Sequence, residues 1–101
     1  MLRVTSIETD KATILKLEGN LSGPWVNELQ QCWMGLVEKK VPVEVDLRAL
    51  HFLDARGTSL LLLMERQGSR LFGSSPFVHE LLHAEVLVRT TRPRKTFKRE
   101  N

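Results

Sequence analysis

The sequence predicts a single α/β domain, a small mixed sheet of about four strands covered by helices, in the order β-β-α-β-α-β-α. Three observations lead there. The chain has 101 residues, the length of one domain. Short runs rich in Val, Ile, Leu and Thr are separated by longer segments whose apolar residues recur at helical spacing. After the first two strands, single strands alternate with helices, which implies a partly parallel sheet with right-handed crossovers.

Residues 2–9 and 12–18 read as two strands of a hairpin turning at Asp10-Lys11, and Gly19-Asn20 closes the second. Ser22-Gly23-Pro24 opens a helix with proline in its first turn. At 100° per residue, Trp25, Val26, Leu29, Cys32, Trp33, Leu36 and Val37 fall within one arc of about 140°, the side expected to be buried. Cys32 is thereby expected to act as a small buried hydrophobe. After Pro42 the run over 41–47 reads as a strand, and residues 48–53 lead to Asp54-Ala55-Arg56-Gly57. A second helix follows to Gln67, with Gly68 suited to its stop. Residues 69–72 give a short strand and 73–76 a turn. A third helix is expected over 77 to about 85, with Val86-Leu87-Val88 as a remnant strand.

Composition excludes several classes. One cysteine cannot form an intrachain disulfide, which fits a reducing compartment and hence the cytoplasm. The longest apolar run, from Leu60 to Met64, is far short of the ~20 residues a membrane span needs. The net charge of +3 is unevenly placed. Residues 1–88 carry 9 Lys/Arg against 11 Asp/Glu, whereas 89–101 carry six basic residues against Glu100 alone. The body is therefore mildly acidic, which argues against a specific nucleic-acid face on it. Residues 1–88 are read as the domain and 89–101 as a basic, disordered tail.

The strongest signal is the segment from Val43 to Gly57. A strand ending Asp46-Leu47, an apolar pair, and then Asp54-Ala55-Arg56-Gly57 opening a Leu-rich helix resemble the STAS domain family. Ser75-Pro76-Phe77-Val78 with Leu81-Leu82 is similar to that family's third-helix start. The resemblance covers about residues 2–88. It implies a non-enzymatic protein-interaction adaptor of the anti-sigma-factor-antagonist type, without a cofactor. The implied partner is an anti-sigma factor or kinase-like protein. A second reading within the fold is a subunit docking on a bacterial lipid-transport ATPase. Related adaptors carry a phosphorylatable serine directly after the aspartate, and a phosphate there adds about two negative charges to the docking face. Ala55 stands at that position and has no hydroxyl, so the resemblance implies binding without that switch. Asp54, Ala55, Arg56, Gly57, Thr58, Leu62 and Arg66 are the candidate partner-binding residues. Thr58, Leu62 and Arg66 are expected on the outer face of the helix, with Leu62 amid polar neighbours. Thr58 and Ser59 are the nearest hydroxyls that a shifted modification could use.

His79-Glu80-Leu81-Leu82-His83 matches the H-E-x-x-H spacing of zinc peptidases. A catalytic zinc usually takes three protein ligands, and the candidates Glu85, Glu100 and His51 are poorly placed. On the helical wheel both histidines point away from the apolar side. The expectation is no metal site and no enzyme. The tail from Arg92 to Arg99, with Phe97 as its only aromatic, reads as a solvated extension.

Overall fold

Strand β2 organises the domain because alternate side chains along it differ in character. In the computed structural model, which describes residues 1–91 and side chains through residue 84, β2 (Thr13–Leu21) buries Leu15, Leu17 and Leu21 completely. The intervening Ile14, Lys16 and Glu18 are only half-buried on its other face. β1 (Leu2–Glu8) pairs with β2 in antiparallel fashion, and Thr9 closes the hairpin by hydrogen bonding with Ala12. β3 (Val43–Leu53) adds in parallel to β2, and β4 (Arg70–Phe72) in parallel to β3, giving the sheet order β1-β2-β3-β4.

Three helices supply the second layer: α1 (Pro24–Glu38), α2 (Ala55–Arg66) and α3 (Pro76–Thr91). Val26, Leu29 and Trp33 of α1, Leu60, Leu61 and Met64 of α2, and Val78 of α3 join the buried side chains of β2 and β3 in one core. The Trp33 indole N–H donates to the Ser69 hydroxyl at 2.9 Å, so the one polar atom this ring brings into the core is satisfied. The opposite sheet face carries spaced charges, Arg3 near Glu18 and Arg70 near Glu44. Asp46, only 3% exposed on this face, receives three hydrogen bonds from Arg48, one from its backbone and two from its guanidinium.

The helices stop where the local chemistry requires. After α2, Gly68 takes a φ of 106°, which glycine adopts freely. The Ser69 N–H bonds the Met64 carbonyl and the Gly68 N–H that of Glu65, the paired bonds of a Schellman ending. After α1 the same pairing is made around Lys40 at φ 59°, from Val41 to Leu36 and from Lys40 to Val37.

The expected β-β-α-β-α-β-α order is the observed one. Several details differ. β2 runs on to Leu21, through the Gly19-Asn20 pair expected to close it. β3 continues to Leu53, past the expected end at Leu47, because two irregularities in its register with β2 let pairing survive a break in alternation. α1 buries only the line Val26, Leu29 and Trp33; Cys32, at the edge of the expected arc, is exposed, and Val37 in the last turn is 46% exposed. α3 runs to Thr91, so Val86-Leu87-Val88 is helical and not a strand. Arg89 is helical as well, and residues 92–101 of the expected tail lie outside the described residues. No helix among the described residues is long and apolar enough to cross a membrane.

Candidate functional site

The chain leaves β3 at Leu53 and enters α2 at Ala55, and Asp54 makes the junction. Its backbone is extended, as an N-cap requires. One carboxylate oxygen accepts the Gly57 N–H at 2.7 Å, capping α2. The other accepts the Gly23 N–H at 3.0 Å, from the N-cap residue of α1. A single side chain thus joins the N-termini of two helices. The Asp54 N–H in turn donates to the carbonyl of Leu21, the last residue of β2. These N–H donors, Gly23 first and then Gly57, hold the Asp54 carboxyl below its ordinary value of 3.8, with partial burial opposing them.

Gly57 follows from the same packing. It is buried in the first turn of α2, and a Cβ on it would strike the Leu21 carbonyl and press on the Leu21 side chain. The Asp-x-x-Gly spacing therefore seats the start of α2 on the end of β2. Thr58 is buried too, 4% exposed, and its hydroxyl donates to the Asp54 carbonyl at 3.0 Å. This corrects the expectation that Thr58 lies on the outer face: the first turn of α2 is sunk into the core. Its hydroxyl is unavailable to a partner or to a shifted modification in this conformation.

Ala55 and Arg56 are exposed at the tip of the loop. They line one end of a groove of about 340 Å³ between α1 and α2, with Val26, Gln30, Ser59, Leu60 and Leu63. Leu62 lies on the other side of α2. It is half-buried and lines a second groove, of about 310 Å³, with Leu47, Glu65, Leu71, Ser74, His79, Leu82 and His83. Leu62 keeps polar neighbours there, Glu65, His79 and His83 among them, but α3 packs beside α2, and Leu71 and Leu82 join the same groove, so Leu62 is half-buried and not on an open face. Arg66 is exposed in the last turn. The structure brings Asp54, Ala55, Arg56 and Gly57 together, buries Thr58, and places Leu62 on a separate groove.

Sequence reasoning missed an aromatic pair beside this loop. Phe52, two residues before Asp54, stacks on Phe77 in the first turn of α3, ring centres 6.4 Å apart. The rings are 40% and 54% exposed. One ring sits at the end of β3 and the other at the start of α3, so no periodic signal joins them.

His79 and His83 are exposed on α3, as expected. No group of three or more His, Cys, Asp or Glu side chains gathers to hold a metal among the described residues. The third protein ligand that zinc peptidases use is therefore not found there.

A four-stranded mixed sheet with this order of strands and helices is the STAS fold, the architecture of anti-sigma-factor antagonists. Three solved structures illustrate the likeness. An anti-sigma factor antagonist from Mycobacterium paratuberculosis superposes with a TM-score of 0.76 at 19% identity, covering 89% of this chain and 82% of that one. The anti-sigma factor antagonist SpoIIAA in its unphosphorylated form gives 0.64 at 18% identity, covering 89% and 97%. The Bacillus cell fate determinant SpoIIAA in its phosphorylated form gives 0.65 at 16% identity, covering 88% and 86%. No family model and no curated protein sequence matches the chain.

Proposed function

We propose that the chain is a non-enzymatic protein-interaction adaptor that docks through the N-terminal loop of α2. The observation that carries this reading is the loop itself. Asp54 fixes it between two helices, while the side chains of Ala55 and Arg56 are exposed at its tip. Rigid loops with exposed side chains are where binding concentrates. The stacked Phe52–Phe77 pair adds exposed aromatic surface beside it, of the kind that anchors interfaces. The likeness to anti-sigma factor antagonists makes an anti-sigma factor or kinase-like protein the natural partner class. Ala55 stands where the resemblance places the phosphorylated serine, so the chain binds its partner without that switch.

The test is capture from native lysate on immobilised protein. Wild type is expected to retain a specific partner, whereas Ala55→Glu and Arg56→Glu release it by at least tenfold. Both positions are exposed, so the substitutions leave the fold intact. A retained set unchanged in both variants would refute docking at this loop. Recovery of a transport ATPase in place of an anti-sigma or kinase-like protein would redirect the partner assignment.

A further inference from the structure

The imidazoles of His79 and His83 have no part in the α2 loop. They stand one turn apart on α3, exposed, with planes within 7° and ring centres 6.1 Å apart. Among the described residues neither ring is engaged in a hydrogen bond or ion pair, so their nitrogens are open to a ligand. Two imidazoles at this spacing on one helix face form a chelate for zinc. Bonds of about 2.0–2.1 Å from each ring to one ion bring the ring centres to about 5 Å. Rotation of two exposed side chains supplies the difference. Glu80 lies between the histidines in sequence, and Glu65 lines the same groove, so acidic side chains accompany the site.

The ligand count decides what kind of site this is. Zinc is tetrahedral, and His79 and His83 fill two positions. No third donor joins them among the described residues, which leaves two positions to be filled. We infer that His79 and His83 are half of a zinc site completed by the same pair on a second copy. A two-fold axis through the ion supplies the other two imidazoles automatically, because a symmetric contact presents one patch twice. Half-buried Leu62 and Leu82 in the adjoining groove give the partner helix apolar surface to cover. Four nitrogen ligands leave no open position for a substrate or an activated water. The site is therefore structural, and Glu80 is no general base in it.

The test is sedimentation of the tag-free full chain at neutral pH, with and without half an equivalent of ZnCl₂ per chain. The mass is expected to double from 11.6 kDa with zinc, and to revert with EDTA. His79→Gln and His83→Gln each abolish the doubling, whereas Glu80→Gln and His51→Gln preserve it. A mass unaffected by zinc overturns the inference. So does one ion bound per chain without a change in mass, or a zinc-dependent dimer that survives the double His79→Gln/His83→Gln variant.

Discussion

Replacing Asp54 with alanine is expected to lower stability by about 2–3 kcal/mol, or about 10–20 °C in Tm for a domain of this size. An ordinary N-cap substitution costs about 1 kcal/mol. Here the carboxylate accepts two backbone N–H groups, at 2.7 and 3.0 Å, from the starts of different helices. Water can replace it at exposed Gly23, but Gly57 is buried and its N–H would be left unsatisfied. The effect depends on pH. The carboxyl is held below its ordinary value in the folded state, so its contribution is fully present above the unfolded value, about 4. It is lost as pH falls from there through the folded value. The Tm difference between wild type and Asp54→Ala is therefore expected to be constant near neutrality and to shrink below about pH 4. Thermal melts across that range check both size and sign. A difference that grows on acidification contradicts the assignment.

Gly57→Ala is expected to destabilise by about 1–3 kcal/mol, and the sign is what makes it informative. Alanine inside a helix normally gains about 1 kcal/mol over glycine. Gly57 is buried in the first turn of α2, and the added methyl would meet the Leu21 carbonyl, which already accepts the Asp54 N–H. Backbone cannot yield as a flexible side chain can, so overpacking outweighs propensity. Denaturant unfolding measures the difference. A stabilised variant would mean that α2 is not seated on β2 as described.

Much of this was legible in the sequence. Alternation along β2 and the Leu60-Leu61-Met64 spacing of α2 follow directly from burying one face, and they fixed the order of elements. Asp54 and Gly57 were visible as a cap and a spacing. What escaped depends on how elements meet. β3 was cut short because bulges within it break its alternation. Cys32 lies at the margin of an arc whose width is set by what covers α1, which periodicity does not encode. Thr58 was assigned outward because a helical wheel of α2 alone does not show that its first turn is sunk into the domain. The Phe52–Phe77 contact joins residues 25 apart in the chain, one in β3 and one in α3. The link from Asp54 to Gly23 spans 31 residues and carries no local signature.

The central claim is that the start of α2 is the docking face. Amide shift mapping of the isotope-labelled chain, titrated with the partner recovered on wild type, tests it most directly. The largest shifts are predicted at Ala55, Arg56 and Ser59, extending to Phe52 and Phe77. Shifts confined to the open sheet face around Arg3, Lys16, Glu18 and Glu44, with the α2 loop silent, would contradict it.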